Sequence, residues 1–348
     1  MPGLFDTYEI RGLTLKNRIV MPPMCMWASD ANGAANDWHF VHYGARAVGG
    51  MGLIIVEVNA VAQCGRIDDM DQGDLGIWDD CHIEPMARFV KFCREQGAAM
   101  AIQIGHAGRK AYGGEKGRGV VPAVAPSAIP FDDGWETPHA LTLDEIPGVI
   151  QSFRDGARRA LAAGFQAIEI HGAHGYLLSS FLSPLANHRS DAYGGDINAR
   201  ARLVCEVTEA VRSDLPDEVP IIVRVSATDW KEGGNTIDDL IAASKLLKGA
   251  GADMIHVSSG GNHPGRPSTH PGYMVGHSEA IRQGADVPTI AVGLIRHPEL
   301  AEEVIRNERA DLVAIGREMM RTPAWPYMAA ARLGVDMEWP EPYETAKL

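Results

Sequence analysis

The chain has 348 residues, 45% of them apolar and 22% charged, an ordinary composition for a soluble globular enzyme and enough for one large barrel or two average domains. A formal net charge of −13 argues against binding through nucleic-acid phosphate, which needs a basic surface, but not against small anions held by a local positive patch. Five cysteines without a C-x-x-C pair are poor material for a disulfide framework or zinc ribbon, and no apolar run approaches the roughly 20 residues that span a bilayer, so no membrane role and a reducing cytoplasm are expected.

The opening MPGLFDTYEI lacks the basic start and apolar run of a signal peptide, and TYEIRGLTLKNR suits a small hairpin plugging the bottom of a barrel. Eight short apolar runs rich in β-branched residues follow: Arg18 to Met24, Leu53 to Val58, Ala99 to Ile104, Ala167 to Gly172, Ile221 to Ala227, Asp253 to Ser259, Thr289 to Gly293 and Leu312 to Gly316. Runs this continuous fit a parallel sheet buried on both faces. Between them lie helical patterns such as LDEIPGVIQSFRDGARRALAAG, whose Gly164 suits the left-handed turn after a helix. The same glycine stop precedes a strand in EQGAAMAIQI, AAGFQAIEI and KGAGADMIHV. Eight helix–stop–strand units predict a (β/α)8 TIM barrel, in a single domain over residues 1–348, because no linker divides the chain. The connection from about 105 to 142 is long and dense in Gly and Pro, and it reads as a cap over the mouth after strand three.

In such a barrel the chemistry sits at the C-terminal ends of the strands. Strand one delivers Pro23, Met24, Cys25, Met26 and Trp27; strand three delivers Gln103 and then His106; strand four delivers His171, His174 and Tyr176. Strand five carries Arg224, strand six ends at Ser258, Ser259 and Gly260, and strands seven and eight end at Gly293 and at Gly316-Arg317. Glycines after the last two strands allow backbone N–H groups to approach a phosphate, and Arg317 adds a guanidinium fork. A buried Arg224 needs an electron-rich partner, either a structural carboxylate (Asp229 or Glu169) or a ligand that gathers negative charge, such as a reduced flavin. Gln103 has the groups to bond the same ring. For His171 and His174 two chemistries compete. With His106 they make a three-histidine metal set, as in a TIM-barrel hydrolase, although no H-x-H pair follows strand one. As paired hydrogen-bond donors they would hold a carbonyl oxygen that develops negative charge, with Tyr176 as a phenolic proton donor.

The stretches LKNRIVMPPMCM, GLIIVEVNAV, IQIGHAGRK, EIHGAHGYLLSSFLSPLANHRSDAYGG, VRVSATD, VSSG and ADLVAIGRE span nearly the whole chain. Together they resemble the Old Yellow Enzyme group of FMN-dependent ene-reductases, closest to its thermophilic-like bacterial subclass. That resemblance implies a noncovalent FMN, reduced by NAD(P)H and reoxidised by an activated alkene, in a homodimer or homotetramer. It implies that His171 and His174 bind the substrate oxygen, Tyr176 protonates Cα, and Cys25 adjusts the flavin potential. Gln103 and Arg224 would hold the pyrimidine edge, and Pro23, Met24, Ser259, Gly260, Gly293, Gly316 and Arg317 the ring, ribityl chain or phosphate. Enones, maleimides, nitro compounds and nitrate esters all match such a site, and desaturation of a cyclic ketone uses the same residues in reverse. A flavin enzyme acting on RNA is disfavoured by the net charge. Three departures stand out. Trp27 replaces the subclass tyrosine and changes the substrate pocket, Thr345 replaces a C-terminal arginine that reaches a neighbouring subunit (with Lys347 nearby), and Pro22 replaces a small polar residue.

Overall fold

The computed structural model describes residues 1–67, 73–113, 116–118 and 122–347. An antiparallel hairpin, β1 (Tyr8–Ile10) and β2 (Leu13–Leu15), comes first. Then come β3 (Ile19–Met21), β4 (Leu53–Ala60), the two-residue β5 (Leu75–Gly76) beside β4, and β6 (Ala99–Gly105). A short pair, β7 (Val124–Ala125) and β8 (His139–Ala140), precedes β9 (Ala167–Gly172), β10 (Ile221–Ser226), β11 (Met254–Ser258), β12 (Thr289–Ala291) and β13 (Leu312–Ala314). Among the described residues eight parallel strands close a barrel in the order β3-β4-β6-β9-β10-β11-β12-β13, with β13 pairing back onto β3. Helices α1 (Asp37–Val48), α2 (Ile83–Glu95), α3 (Ile146–Ala162), α4 (Leu177–Leu182), α5 (Ile197–Asp214), α6 (Ile237–Gly249), α7 (Val275–Ala285), α8 (Pro298–Arg306), α9 (Arg317–Arg321) and α10 (Trp325–Leu333) lie between and after the strands. This is the (β/α)8 barrel expected from the sequence.

Strand lengths follow backbone chemistry. The run Arg18 to Met24 yields only Ile19–Met21, because Pro22 and Pro23 have no N–H to give the ladder. The glycine stops behave as expected: Gly97, Gly164 and Gly251 have φ of +76°, +92° and +103°, a region closed to most side chains.

The barrel interior has two halves. Near the strand starts, alternate residues Val20, Leu53, Ile55, Ala99, Ala101, Ala167, Ile222, Met254, Ile290 and Leu312 form one apolar cluster with Ile10, Leu13 and Leu15 of the hairpin. The hairpin is therefore the plug. The residues between them (Ile54, Val56, Met100, Ile102, Ile168, Val223) face outward and pack in the larger cluster under the helices. Two positions further along the inward face, the residues turn polar: Gln103, Glu169, Arg224 and His256, then His171, Ser226 and Ser258. The polar end is the mouth. Over it folds the long connection after β6, whose Ile129 and Pro130 carbonyls accept from Arg109 at 3.4 Å and whose Phe131 ring stands 4.6 Å from Lys110 Nζ. The cap expected from the sequence falls partly outside the described residues, at 114–115 and 119–121.

Candidate active site

The inward polar layer is built by strand register. Gln103 of β6 lies opposite Glu169 of β9, and Arg224 of β10 opposite His171 on one side and His256 on the other. Glu169 is fully buried and spends both oxygens within the layer. Gln103 Nε2 donates to Oε1 at 2.7 Å, and His256 Nδ1 lies 2.6 Å from Oε2. Neither carboxylate offered by the sequence as a partner binds Arg224. Asp229 instead accepts from Ser183 Oγ at 2.6 Å, Asn262 Nδ2 at 2.7 Å and the Asn235 N–H at 2.9 Å. Arg224 is 7% exposed and its Nε has no hydrogen-bond partner. An uncompensated buried cation costs several kcal/mol, so this arginine is suited to a bound electron-rich group.

Above Arg224, the chain leaves β9 through His171-Gly-Ala-His174-Gly175-Tyr176. His174 and Gly175 both take left-handed φ, +63° and +74°. Such a turn folds the two imidazoles and the phenol together: the His171 ring centroid is 5.1 Å from that of His174 and 5.0 Å from that of Tyr176. The Ala173 N–H donates to His171 Nδ1 at 3.3 Å, which puts the imidazole proton on Nε2. His174 Nε2 sits 2.7 Å from Ser258 Oγ at the end of β11. Burial, and after it the Arg224 charge, holds both imidazoles well below the usual histidine range, so both are neutral. The Tyr176 phenol is pushed far above its usual range, first by burial and then by Cys25 and Asp74, and so keeps its proton. Two neutral N–H donors and one held proton make an arrangement for a carbonyl or nitro oxygen with a protonation step beside it.

Cys25 and Tyr176 pack together against Val58, Ile67, Ala107, Ala111 and Tyr112. Burial, then Glu57 and Asp74, raise the Cys25 thiol well above its ordinary value, which removes the thiolate option. The turn that carries it is fastened from below, where Glu57 Oε2 accepts from the Met26 N–H at 2.8 Å and Tyr43 donates to Oε1 at 3.2 Å. Pro23 is buried beside it, and Trp27 projects to solvent, 43% exposed. Met24 closes against the last strand: a Cβ on Gly316 would sit 3.4 Å from its sulfur. Around Gly293, Gly316 and Arg317 lies a cavity of about 120 Å³, also lined by Arg296, Tyr273 and Met274. Neither arginine pairs with a carboxylate among the described residues, and Glu318 beside them is turned to Arg321. That lining fits a phosphate. Ser259 Oγ contacts Met274 Sδ at 3.0 Å, and both backbone groups of Gly260 are bound within the protein, to Thr228 O and Ser226 Oγ.

The third histidine of the metal alternative does not join the other two. His106 Nδ1 accepts from the Gly108 N–H at 3.0 Å and its Nε2 faces Cys64 Sγ at 3.8 Å. Among the described residues no three His, Cys, Asp or Glu gather as a metal ion would require. Sequence reading passed over Lys110, Glu169 as the hub of the layer, and Ser226, which β10 sets opposite Ser258. The signal for the last two was there, in the inward alternation of AIEIHG and IIVRVSA.

The profile of the NADH:flavin oxidoreductase / NADH oxidase family matches residues 3–335. An NADPH dehydrogenase of Geobacillus thermodenitrificans is 49% identical over 344 residues, covering 98% of this chain and 97% of that one. One of Clostridium acetobutylicum is 47% identical and covers 99% of both. Among solved structures, morphinone reductase in complex with tetrahydroNAD superposes with a TM-score of 0.79 at 29% identity, covering 98% of this chain and 93% of that one. An old yellow enzyme homologue from Zymomonas mobilis superposes at 0.80 with 25% identity, covering 100% and 99%.

Proposed function

This chain belongs to the NADH:flavin oxidoreductase / NADH oxidase family, with FMN as cofactor and NAD(P)H as reductant, and on that premise we propose that it reduces the activated C=C bond of α,β-unsaturated carbonyl or nitro compounds. One observation carries the reading: His171, His174 and Tyr176 stand ring to ring over an unpartnered Arg224. Bound FMN supplies the hydride for the substrate's Cβ. Arg224 and Gln103 hold its pyrimidine edge; Gly293, Gly316 and Arg317 hold its phosphate; Pro23, Met24, Cys25, Ser259 and Gly260 line its ring and ribityl chain. His171 donates through Nε2–H to the substrate's oxygen. In this reading Ser258, 2.7 Å from His174 Nε2, donates to that nitrogen, so that Nδ1 keeps its proton as the second donor. Each such donor is worth on the order of 3 kcal/mol where charge develops. Tyr176, never ionised at working pH, delivers its proton to Cα, and Trp27 forms a wall of the substrate pocket.

A cytoplasmic homodimer or homotetramer belongs to the same reading; its assembly is supported by exposed apolar side chains on α1 and α10 (Trp38, Val41, Met328), Val41 lining a groove with Tyr343 of the C-terminal segment. Lys347 pairs with Asp336 of its own chain at 2.5 Å, which speaks against its standing in for the missing arginine.

Anaerobic stopped-flow spectra of the two half-reactions test the chemistry. NADPH should bleach the flavin, and an enone should restore it. Tyr176→Phe should leave the bleaching and phenol binding nearly intact while slowing enone reoxidation roughly 100-fold. Equal loss in both halves would remove the proton-donor role.

A further inference from the structure

Lys110 ends the short turn after β6, far in sequence from the two segments it touches. Its Nζ donates to the carbonyl of His174 at 2.9 Å and to that of Gly261 at 3.4 Å. The same ammonium stands 5.0 Å over the Tyr176 ring and 4.6 Å over the Phe131 ring of the cap. Around it, backbones are pressed together. A Cβ at Gly175 would collide with the Gly261 carbonyl, one at Gly261 would collide with the His174 backbone, and one at Gly108 would lie 2.9 Å from Leu177 Cα. The Leu177 N–H also donates to the His106 carbonyl at 2.9 Å. The loops leaving β6, β9 and β11 therefore meet at one point, where Lys110 stands beside Arg109, whose Nη2 donates to the Asn262 carbonyl at 2.6 Å; only Lys110 reaches both the His174 carbonyl and the Tyr176 ring among the described residues.

We infer that Lys110 is a positioning residue for the proton donor: it ties the left-handed His174-Gly175 turn to the loop after β11 and fixes the Tyr176 phenol through the face of its ring. This rests on the proposed role of Tyr176. A cation over an aromatic face contributes little at an exposed site but more where it is partly shielded from water, as half-buried Lys110 and Tyr176 are here. No carboxylate pairs with Lys110 among the described residues. The groups facing it are Arg109 from its own turn, His171, His174 and Tyr176 from the exit of β9, and carbonyls from the loop after β11. Burial, and then Arg109, bring the ammonium down to about 8. Its charge is present below that pH and lost above it, so the positioning should fail on the alkaline side.

The test is a double-mutant cycle on the FMN-loaded enzyme, read in both half-reactions. Lys110→Met should slow enone reoxidation about 10-fold, leave flavin reduction by NADPH unchanged, and cause no further loss in the Tyr176→Phe background. Wild-type reoxidation should decline as pH rises through about 8, whereas Lys110→Arg, which keeps its charge, should stay level to higher pH. Losses that multiply in the double variant, or an alkaline decline shared by wild type and Lys110→Arg, would overturn the inference. Should Lys110→Met fail to fold, the Lys110→Arg pH profile decides alone. If Tyr176→Phe itself leaves enone reoxidation untouched, it is the proposed function that fails.

Discussion

At Arg224 the demands of a buried strand and of a charge conflict, and the conflict is left open inside the protein. Its neighbours in the layer satisfy one another: Gln103 and His256 both take Glu169, and Asp229 is committed to Ser183, Asn235 and Asn262. The guanidinium is left with an unpartnered Nε, which is the strongest sign of a ligand in the interior. Arg224→Ala should weaken FMN binding about 10- to 100-fold, the loss of charge-assisted bonds, and make the flavin harder to reduce. Equilibrium dialysis of FMN and a midpoint-potential titration check this, and unchanged values of both would assign Arg224 to packing. The residue was visible in the sequence because a charge interrupts an apolar run. Lys110 was not, because its partners are backbone carbonyls about 64 and 151 positions away and carbonyls leave no mark on a sequence.

At the scale of elements, the two ends of the barrel do different work, and substitutions separate them. Gly261 has φ +102° and its α-carbon lies against the His174 backbone, so Gly261→Ala must displace the turn that carries His174 and Tyr176. Enone reoxidation should fall at least 10-fold, with a lowered Tm. Leu15 in the bottom plug is fully buried among apolar residues of the barrel floor. Leu15→Ala should cost about 3 kcal/mol of stability through the cavity it leaves, while FMN affinity and the enone half-reaction stay near wild type. Thermal unfolding alongside stopped-flow rates distinguishes the two; a catalytic defect in Leu15→Ala would mean that plug and mouth are coupled.

Across the whole molecule the buried histidines set the acid limit. His39 is brought down to about 4, His42 to about 3 and His106 to about 4, chiefly by burial, and His171, His174, His256 and His277 are also lowered. Folded, they stay neutral; unfolded, they take up protons near 6.5. Their contribution to stability is therefore full above about 6.5 and is lost as pH falls toward 4. Glu57, raised to about 8 by burial, works the other way between its unfolded value near 4.5 and 8, but it is one group against seven. Tm should hold near neutrality and fall steadily from pH 6.5 to 4.5; a flat Tm over that interval would show the histidines to be solvated.

Eight apolar runs, their glycine stops and the chemistry at the strand ends were written locally, in 2.0 and 3.6 periodicities and in the residues that terminate them. So the barrel, its hairpin plug and the placement of His171, His174, Tyr176, Arg224 and Cys25 at the strand ends could be read from the chain alone. What could not be read depends on register and closure. That Glu169 serves Gln103 and His256 instead of Arg224 follows from which residues the strands set opposite one another. The neutral Cys25 thiol follows from burial beside Glu57 and Asp74, which no spacing encodes. The meeting of three loops at Lys110 is decided last, because it arises only once the closed barrel brings the ends of β6, β9 and β11 within contact of each other.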